Sequence, residues 1–198
     1  MAQLCHDHTM PPPVTLTALT GTQGAAASVE NVTTLDAVVV SDVTALLADL
    51  VAFGAALGWV EPPSHDEIDV LLHALTEESE NGNASTVLAH EGQRLIAFGC
   101  WRRYQRPTHR PHADIPYLAL AQDHQGQGVG GRVLDHLVET ARSARIEQLT
   151  LDARGDNSAA HALWRSRGFV EYGRLADFVA VGDARYDKTF WVLDLRSN

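Results

Sequence analysis

Apolar positions along this chain recur at two spacings. A period near 3.6 marks helices, and strict alternation or a short apolar run bounded by turn residues marks strands. From Asp42 to Leu57, the bulky residues Leu46, Leu47, Leu50, Val51, Phe53 and Leu57 sit mostly at helical spacing and predict a first helix. A first strand is expected just ahead of it, near Val32–Val40. Ile68, Leu71, Leu72 and Leu75 form a second helical stripe. It opens at Ser64 with Glu67 three residues on, the signature of a capping box. Ser85–Glu91 and Arg94–Tyr104 read as a hairpin turning at Gly92, and Asp114–Ala121 as a fourth strand. Val133, Leu134, Leu137, Val138 and Ala141 line a third helix that ends near Arg145. Ile146–Arg154 is strand-like; Asn157 then caps a fourth helix, which Gly168 stops. Phe169–Val181 and Ala184–Leu195 close the chain as a hairpin around Gly182-Asp183. The order β-α-α-β-β-β-α-β-α-β-β predicts an α/β domain on one central sheet. Residues 1–29, rich in Pro, Thr, Ala and Gly, are expected to be a poorly ordered tail, leaving 30–198 as the domain.

Composition narrows the class. A chain of 198 residues with 45% apolar content can bury one domain core. Fifteen Lys and Arg against 25 Asp and Glu give a net charge of −10, a field that repels phosphate backbones and anionic lipid. No nucleic-acid or membrane partner is therefore expected. Val43–Val60 is apolar enough to be checked as a span, but Asp49 interrupts it and no Lys or Arg anchors its ends. The N-terminus lacks the basic and apolar regions of a signal peptide. Cys5 and Cys100 suit a reducing, cytoplasmic setting better than a disulfide. Cys5, His6 and His8 cluster without an evident fourth ligand, and no HExxH or paired CxxC occurs, so no metal is expected.

The glycine-rich turn Gln125–Gly131 changes the picture. It joins an apolar strand to an amphipathic helix, where unpaired N–H groups and the positive helix end suit a phosphate or pyrophosphate. Gly126, Gly128 and Gly131 match GxGxxG formally, but three strands and two helices precede them. The residues about twenty positions on, Ile146-Glu147-Gln148, also fall at the start of a strand rather than at its end, where a ribose-binding acid belongs. A P-loop is excluded because no Lys-Ser/Thr follows.

Read instead as Q-x-x-G-x-G, the residues Gln125, Gly128 and Gly130, with YLALAQDH before them, resemble motif A of the GNAT superfamily of N-acetyltransferases. LDARGDNSAAHALWRSRGFVEYG resembles motif B through Asn157, Ala160, Leu163 and Gly168-Phe169. The final hairpin with Arg185-Tyr186-Asp187-Lys188 is similar as well, and the likeness covers roughly residues 85–195. The resemblance implies a mostly antiparallel mixed sheet of about seven strands with about four helices, splayed between strands four and five. It implies acetyl-CoA as co-substrate, with the pantetheine arm along Leu118, Ala119 and Leu120. It implies a pyrophosphate held by the backbone of Gln125, Gly126, Gln127, Gly128, Val129, Gly130 and Gly131, with Arg132 as a further charge contact. Asn157, Ala160 and Trp164 would border the arm, and Asn157 also serves as a helix cap.

The implied reaction is direct acetyl transfer to the primary amine of a small molecule. Proteins or peptides are the alternative acceptors, and a non-catalytic acyl-CoA module or a nucleotide-dependent oxidoreductase are the alternative functions. A base must deprotonate the amine. Asp114 stands four residues before LAL, where relatives often carry Glu, and His112 has the better unperturbed pKa for the task. Trp164 occupies the place where many relatives use a Tyr as general acid. An indole N–H donates a hydrogen bond but delivers no proton, which leaves Tyr172, Tyr104, water or unassisted departure of the thiolate. A homodimer is the base-rate expectation.

Overall fold

The computed structural model describes residues 27–32 and 34–196. The clustered Cys5, His6 and His8, and most of the expected tail, lie outside these residues. Among them, seven strands form one sheet in the order β1-β2-β3-β4-β5-β7-β6. The strands are β1 (Ser28–Asn31), β2 (Ala84–Glu91), β3 (Arg94–Arg103), β4 (His112–Leu120), β5 (Gln148–Arg154), β6 (Val170–Val181) and β7 (Ala184–Asp194). The helices are α1 (Ala37–Ala52), α2 (His65–Glu80), α3 (Val129–Ser143) and α4 (Ser158–Ser166). Every neighbouring pair is antiparallel except β4–β5. The mixed, mostly antiparallel sheet with four helices is thus present.

The first strand is a correction. Val38, Val39 and Val40, expected as strand, lie in α1, and β1 falls earlier, at Ser28–Asn31. Asp36 decides the boundary: its side chain accepts from the N–H groups of Val38 and Val39 at 2.9 Å each. That cap starts a helix through three valines whose intrinsic preference is for strands. Val40 then joins Val43, Leu47 and Leu50 on the buried stripe. β1 also begins two residues before the boundary drawn at residue 30.

Other signals act where they stand. Ser64 and Glu67 form both halves of the capping box. Asn157 accepts from Ala160 N–H at 3.1 Å, and Gly168 follows α4 with φ of 85°. Adjacent β3 residues show how the layers lie. Trp101 Nε1 donates to Thr140 of α3 at 2.9 Å, whereas the Arg102 guanidinium donates to Glu78 of α2. Neighbours on a strand point to opposite faces, so α3 and α2 cover opposite sides of the sheet. α4 packs beside α3, with Arg167 donating to Asp135 at 3.1 Å.

Candidate functional site

β4 and β5 pair over three register positions only: His112↔Gln148, Ala113↔Leu149 and Asp114↔Thr150. Beyond Asp114 both strands continue, yet no further pairing joins them. β4 keeps β3 on its other side, with Leu118 opposite Gly99, Ala119 opposite Phe98 and Leu120 opposite Ala97. In an antiparallel pair every second residue turns its N–H and C=O outward. The Leu118–Leu120 segment therefore presents backbone donors and acceptors to a gap, as the splay requires. The register also shifts between Cys100 and Arg102, opposite Ile115-Pro116, where Pro116 has no N–H to donate.

The glycine turn stands at the open end of this gap. Gly126 and Gly128 adopt φ of 75° and 80°, and a Cβ on either would meet nothing within 4 Å. Gly128 is the cap of α3, so the left-handed turn aims the first N–H groups of α3 at open space. Gly130 is wedged: a Cβ there would lie 3.5 Å from Leu163 and 3.6 Å from Leu120. A Cβ on Gly131 would collide with the Arg167 guanidinium. Arg132 points elsewhere, with Nη1 3.4 Å from the Ala27 carbonyl. Gln127 Nε2 donates to the Asp123 carbonyl, which ties the loop to the residues preceding it.

Those preceding residues form an anchor that sequence reasoning missed. Asp123 accepts from Arg94 at 2.6 Å and meets His124 at 2.8 Å, and the other His124 nitrogen lies 3.1 Å from Glu91. The bonds to Asp123 and then Glu91 raise the pKa of His124. Arg94 and then His124 hold the Asp123 carboxyl down at about 2.

Asp114 and His112 share one face of β4 by alternation. Burial raises the Asp114 pKa, Asp152 adds to the rise, and a hydrogen bond from Thr150 and the charge of Lys188 oppose it. His112 is half-buried, its Nδ1 without a partner. Around Asp114 gather Thr150, Tyr104, Asp152 and Lys188; the last two pair at 3.0 Å. The exposed rings of Tyr172 and Phe178 stand on β6 beside them. Thr150 and Asp152 were not singled out from sequence, although they alternate with buried Leu149 and Leu151, and Lys188 was noted only as part of the closing hairpin. On the helix side, Trp59 stacks on Tyr117 at 5.4 Å. Both line a cavity of about 580 Å³ with Val70, Leu71, Ala74 and Arg102.

Trp164 is 5% exposed, packed against His161 and Trp191, and its Nε1 is buried without a partner. His161 and Trp191 both meet Thr189 Oγ1, at 3.1 and 3.0 Å. The Trp164 N–H is enclosed with these rings, while the open glycine turn and the splayed strand pair fit an elongated ligand that carries a phosphate.

Residues 52–169 match the acetyltransferase (GNAT) family. The chain belongs to this family. Among curated relatives, the [ribosomal protein bS18]-alanine N-acetyltransferase of Escherichia coli K12 is 32% identical over 78 residues, covering 39% of this chain and 53% of that protein. The chain thus spans about half the length of that relative. The N-alpha-acetyltransferase RimI of Mycobacterium tuberculosis is 30% identical over 111 residues, covering 56% of this chain and 68% of its own. Among solved structures, an N-acetyltransferase from Staphylococcus aureus Mu50 superposes with a TM-score of 0.76 at 16% identity, over 86% of this chain and 99% of its own. A putative acetyltransferase from Salmonella typhimurium, solved with its cofactor acetyl-CoA, gives 0.76 at 18% identity, over 87% and 96%. At such identities the likeness is one of GNAT fold. Among the described residues no group of three His, Cys, Asp or Glu could hold a metal ion. No described helix is long and apolar enough to cross a membrane.

Proposed function

We propose that this GNAT chain moves the acetyl group of acetyl-CoA to a primary amine in a ternary complex. One observation carries the reading: the β4–β5 gap has the open glycine turn at its mouth and a half-buried carboxylate, Asp114, where pairing resumes. Leu118–Leu120 would bond the pantetheine arm, and the N–H groups from Gly126 to Gly131 the pyrophosphate. Asn157, Ala160 and Trp164 would border the arm. Gln125 would complete the turn, and Arg132 is the weaker member of the set, since it is turned toward Ala27.

Asp114 is the proposed base. It takes a proton from the ammonium, leaving the electron pair on nitrogen, which then attacks the thioester carbonyl. The new C–N bond forms, the C–S bond breaks, and the nitrogen gives up its second proton as CoA leaves, the departing thiolate taking up that proton. A raised pKa brings an aspartate closer to the operating pH of a base. His112 is the second candidate, on the same strand face. Tyr172 is the hydroxyl near Asp114 left to serve the leaving thiolate in place of Trp164, since the Tyr104 hydroxyl is engaged with Thr150.

The acceptor faces Asp114 and Asp152, which favours a cationic amine. A small-molecule amine is one reading. A peptide α-amine is favoured by the names of the relatives above and by the exposed aromatic rings of Tyr172 and Phe178 on β6. The setting is proposed as cytoplasmic, consistent with the free, buried Cys100.

The test is thiol release from acetyl-CoA with a panel of small amines and alanine-initiated peptides. Thermal shifts with CoA, acetyl-CoA and NAD(P) run beside it. Stabilisation by acetyl-CoA and release stimulated by an amine support the reading. Stabilisation by NAD(P) alone would return the glycines to a dinucleotide role. Acetyl-CoA binding with no turnover on any amine would leave the non-catalytic module.

A further inference from the structure

Thr150 is placed with more care than a strand residue needs. It is the register partner of Asp114 at the last paired position before the gap. Its Oγ1 lies 2.7 Å from Asp114 Oδ1 and 2.7 Å from the Tyr104 hydroxyl. A hydroxyl has one proton to give and an ionised carboxylate only accepts. With Asp114 ionised, the Thr150 proton therefore goes to Oδ1, and the Thr150 oxygen accepts the proton of Tyr104. The Ala113 carbonyl, 3.4 Å from Oγ1, is the weaker competitor for that proton. The order Tyr104 to Thr150 to Asp114 is thus fixed by donor count. Among the described residues nothing donates to Asp114 Oδ2.

We propose that Thr150 is the positioning residue of this site: together with Tyr104 it pins one carboxylate oxygen of Asp114 and leaves Oδ2 to face the acceptor amine. The inference rests on the reading of Asp114 as the base. Thr150 acts through Asp114 and touches no reacting atom. Its hydrogen bond favours the charged carboxylate, against burial that favours the neutral one. The other groups near Asp114 are Asp152 on β5, Lys188 on β7, Tyr172 on β6, His112 on β4, and on β3 the buried Cys100 and Arg102, which Glu78 engages. None of these supplies a hydrogen bond to Asp114, so Thr150 is the position to vary.

Three variants test this in the full chain: Thr150→Val, which keeps shape and removes the hydroxyl, Thr150→Ser, which keeps the hydroxyl, and Tyr104→Phe. The primary readout is the Asp114 carboxyl titration followed by carbon-13 NMR, which needs no acceptor. Thr150→Val is expected to move that titration to higher pH, Tyr104→Phe to move it less in the same direction, and Thr150→Ser to restore it. The second readout is kcat/KM against pH with acetyl-CoA and an alanine-initiated peptide. There Thr150→Val is expected to lower the value at pH 6 by roughly tenfold, the scale of one charge-assisted hydrogen bond, and less at pH 8. An Asp114 titration unchanged in Thr150→Val, or a Thr150→Ser variant that behaves like Thr150→Val, overturns the proposal. If the titration moves as expected while wild type acetylates no amine, the pinning of Asp114 stands and the acetyltransferase reading falls.

Discussion

At the residue scale, Asp114 is a carboxylate kept from full hydration yet given a donor and an open oxygen. Its folded pKa is raised, chiefly by burial. A base must be ionised to act, so the rate on any accepted amine is expected to fall as pH drops through that raised value. The acid limb should lie above the ordinary aspartate range, and a pH profile of kcat/KM checks this. Asp114→Asn keeps the shape and removes the basicity. It is expected to cost about 10²–10⁴-fold in amine-stimulated thiol release while leaving acetyl-CoA binding intact. Equal loss of both would show that Asp114 holds structure. The sequence displayed Asp114 because it stands at a fixed distance from LAL. It did not display Thr150, whose role depends on which residue of another strand lies opposite.

Element by element, α3 carries the cofactor end of the proposed site. Gly128 has φ of 80°, with open space where a side chain would begin. Gly128→Val would be strained by its backbone and would fill the space over the α3 N–H groups. The expected result is loss of the thermal shift that acetyl-CoA gives to wild type. A variant that folds and binds normally would remove the glycine turn from the site. α2 offers a contrast in which only stability is at stake. Ser64→Ala removes one half of a capping box and is expected to cost about 1 kcal/mol in urea unfolding, without effect on binding. Local signals of this kind were legible: the caps at Ser64 and Asn157, the stop at Gly168 and the hairpin at Gly182 each use residues within a few positions. The start of α1 was misread because three valines outweighed a lone Asp36, although the Asp36 side chain satisfies two N–H groups and the valines only prefer a strand.

For the whole molecule, two histidines tie stability to pH in opposite directions. His161, on the buried side of α4, is 6% exposed, and burial lowers its folded pKa. Its contribution is present above the ordinary histidine range and is lost as pH falls through the lowered value. His124, between Asp123 and Glu91, has a raised folded pKa. Its contribution is present below the ordinary range and is lost as pH rises through the raised value. Urea unfolding between pH 5 and 8 separates them. His161→Phe should lose less stability than wild type as pH falls, and His124→Gln should lose less as pH rises. Matching slopes in wild type and a variant would remove that histidine from the linkage. What the sequence by itself determined was the run of elements, the glycine turn and the family likeness, since each rests on residues near one another in the chain. What only the tertiary structure decided was where β4 and β5 part and which side chains meet there. Asp114 and Thr150 are 36 residues apart and are joined by a register that the packing of α3 and the neighbouring strands sets. No local pattern encodes the point at which two parallel strands stop pairing, because the crossover between them fixes no register of its own.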